Sequence, residues 1–309
     1  MKIYNGFDEV QHIKNAVVTT GSFDGVHMGH QLILKKLKEL AVKEGGESVL
    51  ITFYPHPRIV LYPDTKGKDL LMISTRKEKI QLLEKAGLDH LIFVKFTKSF
   101  SETTAAEFIE KYLIDKLETR VIVTGENHHF GKNRAGDIEE LRVLGKKHHF
   151  QLQLIPHQDI QHVDVSSTLI RESIIRGRIK KANMYLTHPY FIIGSFAEGS
   201  PMFKRMGYVT YRIVIDEKHK LLPPCGSYQV DVVVKGIAQK GLALISVCTN
   251  SFSDSTLDIY IKKAISPNNL KEEVSLIFKE EENVQDEEKK GSLLNSIMMK
   301  DLIRFDNNA

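Results

Sequence analysis

From Ala16 to about Leu186, short β-branched apolar runs alternate with segments whose apolar residues recur at helical spacing. The strand-like runs are Val17–Thr20, Val49–Tyr54, Leu91–Phe96, Val121–Gly125 and Gln151–Pro156. Between them, His30 to Glu44 sets Ile33, Leu34, Leu37 and Leu40 on one face, and Thr75 to Gly87 does the same with Ile80, Leu83 and Ala86. Thr104 to Leu117 and Gly136 to His148 repeat the pattern through Phe108, Ile109 and Leu113 and through Ile138, Leu141 and Leu144. Strands that alternate with helices pair in parallel, so residues 1–186 read as a doubly wound α/β domain. Such a sheet takes its ligands at the carboxyl ends of its strands, near the point where strand order reverses.

The pattern changes after Leu186. Short strands Tyr190–Gly194, Tyr208–Ile215, Ser227–Val234, Leu242–Cys248 and Leu257–Ile261 are punctuated by Gly194, Gly199, Pro223, Pro224, Gly226, Gly236 and Gly241. That spacing predicts a small antiparallel β-barrel over residues 187–309. Lys279 to Lys290 is a charged run with almost no apolar residues and reads as a solvated segment. Ser292 to Phe305 then carries Leu293, Leu294, Ile297, Met298, Leu302 and Ile303 as a closing amphipathic helix.

Composition narrows the class. A formal charge of +4 over 309 residues suits anionic small molecules, and no Lys/Arg run with interleaved aromatics points to a nucleic acid. Cys225 and Cys248 are far apart and read as two inert thiols in a reducing compartment. No apolar h-region follows Met1, and no apolar run is long enough to span a membrane, so a soluble cytoplasmic protein with no membrane partner is expected.

Four segments carry the chemistry. Gly21 to His30, with Phe23, Asp24, Gly25, His27 and Gly29, lies where the first strand hands over to a helix. A helix N-terminus offers N–H groups and a positive dipole end, Gly29 lets a phosphate approach the backbone, and His27 and His30 add donors. A plain helix cap with incidental histidines, or a metal pair, is the other reading. Val165 to Glu172 places Ser166, Ser167, Thr168 and Arg171 at a second helix start; alone it is an ordinary cap, and beside the first motif it is a second anion cradle. Thr124 to Lys132, with Asn127, ends another strand on the same rim but lacks the spacing of a Walker loop. Thr52 to Arg58, with Phe53 and His56, ends a third strand in a proline-stiffened turn.

At these residues the chain resembles the prokaryotic FAD synthetase family, the bifunctional riboflavin kinase/FMN adenylyltransferases. Gly21–His30 resembles its G-x-F-D-G-x-H-x-G-H signature, Thr52–Pro57 its T-F-x-P-H-P, and Val165–Glu172 its V-S-S-T-x-I-R-E. Gly125 to Gly131 resembles the G-[DE]-[DN]-F-x-F-G loop with His128 in place of an aromatic. The resemblance implies a Rossmann-like nucleotidylyltransferase domain that transfers AMP from MgATP to FMN, giving FAD and pyrophosphate. It implies that Gly21, Phe23, Asp24, His27, Gly29, His30, Ser167, Thr168 and Arg171 bind ATP. His27, His30, Asn127 and Arg171 would be catalytic, with Phe53, His56 and Asn127 beside the flavin. ATP, FMN and, for the barrel, riboflavin are the implied partners, with Mg²⁺ as the ion.

The second half departs from the pattern. The kinase barrel's G-R-x-x-G-x-P-T-A-N has its counterpart at Phe203 to Arg212, where Thr210 is kept and Arg212 replaces a short amide. The kinase base, a glutamate in the family, corresponds to Asp258. The expectation is a working adenylyltransferase fused to a degenerate riboflavin-kinase-like barrel. A fully bifunctional enzyme, a nucleotidylyltransferase for another phosphate acceptor, and a flavin-sensing regulator stay open beside it.

Overall fold

Strand residues on the central sheet alternate between two separate apolar clusters. Val18, Ile51 and Ile92 pack with Phe108, Ile109, Leu113, Leu141 and Leu144. Their neighbours Val17, Leu50 and Leu91 pack with Leu34, Leu37, Leu83 and Val123. A sheet buried on both faces is what continuous apolar parallel strands produce.

The computed structural model describes residues 1–125, 129–155, 159–160, 163–199, 201, 209–247, 255–261, 271–280 and 300–305. They divide into two compact units: Met1–Leu70 with Lys79–Val165, and Leu71–Glu78 with Ser166–Ala309.

The first unit holds β1 (Lys2–Tyr4), β2 (Val17–Thr20), α1 (Met28–Lys43), β3 (Ser48–Tyr54), α2 (Pro57–Leu61), most of α3 (Arg76–Lys85), β4 (His90–Lys95), α4 (Ala105–Glu107), β5 (Val121–Gly125), α5 (Ile138–His148), β6 (Gln151–Ile155) and the pair β7 (Asp159–Ile160) and β8 (Val163–Asp164). The six-stranded sheet has the order β1-β4-β3-β2-β5-β6 and every pair is parallel. The chain runs outward from β2 through β3 to β4, then returns to the other side of β2 as β5. The switch point lies between β2 and β5, which is where such sheets bind ligands. Thr104 opens α4 with a capping box to Glu107. The helix expected over Thr104–Leu117 then widens into a π-type turn across Phe108–Ile114.

The second unit holds α6 (Ser167–Ile175), α7 (Ile179–Leu186), β9 (Tyr190–Glu198), β10 (Thr210–Val214), β11 (Gly226–Val234), β12 (Ile237–Val247), β13 (Ser255–Tyr260) and β14 (Glu273–Glu280). The strands form a closed antiparallel barrel, β10-β13-β12-β11-β14-β9. Asn183 ties α7 to it: its amide donates to Phe278 O at 3.0 Å and its oxygen accepts from Tyr190 N at 2.7 Å. Residues 300–305 are helical, with Leu302 buried against Leu242, Leu244 and Tyr260. The rest of the closing helix, Ser292 to Met299, lies outside the described residues, as does the charged run from residue 281 to 290.

The segment Leu71–Glu78 belongs with the barrel for a chemical reason. Lys220 Nζ, fully buried, donates to Glu78 Oε2 and Ile73 O at 2.6 Å and to Phe191 O at 3.0 Å. Glu78 also accepts from Thr75 N and Ile193 N, each at 2.8 Å, so both charges are satisfied. Among the described residues no helix is long and apolar enough to cross a membrane.

Candidate functional site

Where β2 ends, the backbone makes a tight turn that needs unusual torsions. Phe23 has φ 45°, Gly25 φ 79° and Val26 φ 41°. A β-branched valine in the left-handed region is strained, and such strain collects at functional turns. The turn is anchored from three sides. Gly21 N donates to Ile51 O at 3.0 Å, and the Ser22 carbonyl accepts from Thr52 Oγ1 at 3.3 Å and from Lys79 Nζ at 2.7 Å. Phe23, Asp24 and Val26 are buried. His27 then stands at the N-cap of α1 without a side-chain cap bond. The first-turn N–H groups of a four-turn helix therefore face the switch point with no side chain of that residue capping them.

Three rings stack at this helix entrance. His27 and His30 lie 3.7 Å apart between centroids at 20°, and Phe23 lies 4.5 Å from His30 at 24°. His30 Nδ1 is buried with no hydrogen-bond partner among the described residues. Burial, then the neighbouring His27 and Lys79, holds His30 well below the ordinary imidazole range. At neutral pH it is an uncharged ring with one N–H to donate. A Cβ on Gly29 would meet only the His27 ring, at 3.4–3.5 Å, an ordinary contact. Packing within the protein therefore does not demand glycine there, whereas close approach of a ligand to the backbone would.

The other expected residues fall in different settings. Phe53, half-buried at the carboxyl end of β3, joins an aromatic group with Phe96 at 5.7 Å and Phe100 at 6.0 Å. His56 caps α2, its Nδ1 accepting from Arg58 N at 3.2 Å, which leaves Nε2–H as the donor of its neutral ring. Lys132 pairs with Glu102 at 2.6 Å on the surface. Asn127 lies outside the described residues.

In the second unit, Ser166 is the cap of α6, accepting from Leu169 N at 3.3 Å. Ser167 and Thr168 are the first two helical residues, and half-buried Arg171 follows one turn in. In the barrel, Arg212 on β10 is in register with Asp258 on β13, with Nε and Nη2 each 3.2 Å from a carboxylate oxygen. Burial pushes Asp258 above the usual carboxylate range, opposed by Arg212. Thr210 Oγ1, two residues before Arg212, is buried with no partner among the described residues. Phe203 to Gly207 of the altered signature lie outside them.

The family model described as FAD synthetase matches residues 9–169, more than half of the chain. The chain belongs to the FAD synthetase family. Among similar proteins, a bifunctional riboflavin kinase/FMN adenylyltransferase from Listeria monocytogenes is 31% identical over 80% of this chain and 77% of its own. An FAD synthetase from the same organism is 32% identical over 84% of this chain and 99% of its own. A solved structure titled macrolide-efflux protein, from Streptococcus pneumoniae, superposes with a TM-score of 0.81 at 23% identity over 99% of this chain and 98% of its own. That likeness bears on the fold alone. FAD synthetases are transferases whose substrates are ATP and FMN, with Mg²⁺ as the usual ion.

One residue that reaches the turn after β2 has no sequence signal. Lys79 is only 5% exposed, yet it sits in a helical pattern beside Lys77 and Lys85 with nothing to set it apart. Only the fold shows that its ammonium reaches the turn after β2.

Proposed function

We propose that the chain transfers AMP from ATP to FMN, releasing FAD and pyrophosphate, and that its barrel no longer phosphorylates riboflavin. The observation that carries the first half is the stacked His27–His30 pair, with His30 held neutral, at the N-terminus of α1 on the switch point of a parallel sheet. The FMN phosphate oxygen attacks the α-phosphorus, the bond to the bridging oxygen breaks, and the electron pair leaves with pyrophosphate. No covalent enzyme intermediate is needed, so catalysis is positioning and charge stabilisation. His27, His30 and the α1 N–H groups donate to phosphate oxygens, and Ser167, Thr168 and Arg171 supply a second set of donors. Asn127 orients the phosphates, and Phe53 and His56 are assigned to the flavin. Among the described residues no group of three or more His, Cys, Asp or Glu side chains is placed to hold a metal ion, so we assign no protein ligand to Mg²⁺. When bound with ATP it neutralises charge on the leaving pyrophosphate.

The Arg212–Asp258 pair supports the second half. A general base has to be free to accept a proton, and Asp258 is held on both oxygens by a guanidinium. The match over 99% of a relative named simply FAD synthetase points the same way. Full bifunctionality is the alternative, favoured by the names of relatives such as those from Listeria monocytogenes and Bacillus subtilis. By activity we partition the chain into an adenylyl-transfer module over 1–186 and a barrel module over 187–309, although compactness draws its line at Val165.

The test is FAD formation from FMN and MgATP by His30→Ala and Arg171→Ala. Each is expected to lose tenfold or more in rate, about 1.4 kcal/mol or more of transition-state stabilisation. Rates near wild type in both would reject the site.

A further inference from the structure

We infer that Lys79 is a positioning residue of this phosphate site: from α3 it fixes the turn after β2 through the Ser22 carbonyl and sets its ammonium beside His30. The inference rests on the adenylyl-transfer reading for its substrate, a polyphosphate, but not for its geometry.

A lysine this deeply buried is uncommon and costly, because its charge leaves water. Its position gives it two effects. The Ser22 carbonyl has two lone pairs, and Thr52 Oγ1 at 3.3 Å and Lys79 Nζ at 2.7 Å take both. The peptide that opens the strained Phe23–Val26 turn therefore cannot rotate, and the turn aims His27 and the first N–H groups of α1. The second effect is electrostatic. Among the described residues, the titratable groups whose charge acts on the His30 ring are His27, on the turn before α1, and Lys79, on α3. Burial is the main cause that keeps His30 neutral, and the positive charge of Lys79 adds to it, so the ring donates rather than repels the ammonium. Lys79 need not touch the phosphates to do this.

The experiment compares wild type, Lys79→Met and Lys79→Arg as full chains. Two quantities are read: the ligand-free titration of His30 by NMR of imidazole-labelled protein, assigned with His30→Gln, and kcat and KM for ATP with saturating FMN. In K79M, His30 is expected to titrate at higher pH than in wild type, and kcat/KM for ATP to fall roughly tenfold or more. In K79R, which keeps the charge but not the single-point reach, His30 is expected to titrate as in wild type while kcat/KM falls by less. An unchanged His30 titration in K79M, or kcat/KM within about twofold of wild type, overturns the inference. If K79M does not fold, K79R decides: a His30 titration moved up to the ordinary imidazole range in folded K79R is the overturning result. A wild type that makes no FAD defeats the functional reading instead, and the ligand-free titration still tests the geometry.

Discussion

Arg212 and Asp258 face each other across β10 and β13, each carboxylate oxygen 3.2 Å from a guanidinium nitrogen. Arg212 is 38% exposed and Asp258 only 3%, so removing the arginine strands a buried carboxylate while the arginine itself is partly solvated. Arg212→Met is expected to destabilise by about 1–3 kcal/mol at pH 7, less than a fully buried pair would cost. The sign with pH follows from the Asp258 shift, which is upward from 3.8 because burial outweighs Arg212. In the variant the lowering influence is gone and the folded carboxyl holds its proton to higher pH. The deficit of the variant therefore shrinks as pH falls through that range and the group protonates. Thermal melts from pH 7.5 to 4.5 read this directly; a constant gap would contradict it.

Gly29→Ala separates packing from ligand approach. The added methyl meets only the His27 ring at 3.4–3.5 Å, and alanine favours the helix, so the melting temperature should hold or rise slightly. KM for ATP should rise by roughly tenfold if a phosphate lies on that backbone. Steady-state kinetics on the folded variant check both; an unchanged KM removes the glycine from the phosphate cradle.

The expected α/β half was legible because its residues obey two periods at once. Val17 and Val18, or Leu50 and Ile51, are adjacent in sequence and go to opposite faces, while Leu34, Leu37 and Leu40 keep one helix face. β2 and β5 run as expected, Val17–Thr20 and Val121–Gly125. β1 was missed because three residues are too few to show alternation. β14 was missed because its alternation of Val274, Leu276 and Phe278 runs straight into a charged segment. The His27–His30 stack is visible in the sequence as spacing, whereas the Lys79 contact and the Lys220–Glu78 pair come from contacts far apart in the chain. Arg212 and Asp258 were each singled out, but only strand register joins them.

Folding stability should carry a signature of the neutral His30. Its folded pKa lies below the unfolded value near 6.5, so between the two the unfolded chain binds a proton that the folded one does not. Stability is present above about pH 6.5 and declines as pH falls towards the folded value. His30→Gln should flatten that decline. Melting temperatures of both proteins between pH 7.5 and 5 make the comparison, since the histidines outside the His27–His30 stack are common to each.

Lys220→Met leaves Glu78 buried without its cation. The expected cost is about 3–5 kcal/mol, because both side chains are almost wholly buried. Adding Glu78→Gln should return part of it, since the stranded charge is then removed. Urea unfolding of the single and double variants gives the two numbers; a double variant less stable than the single one would contradict this role for the Lys220–Glu78 pair.

We propose one working nucleotide site and one disabled kinase site in this chain. The direct measurement supplies the purified protein with MgATP and either riboflavin or FMN, and follows the flavin products by chromatography. FAD from FMN at ordinary enzyme turnover, with no FMN from riboflavin, is the predicted result. FMN formed from riboflavin at comparable turnover, or no FAD from FMN, would contradict it.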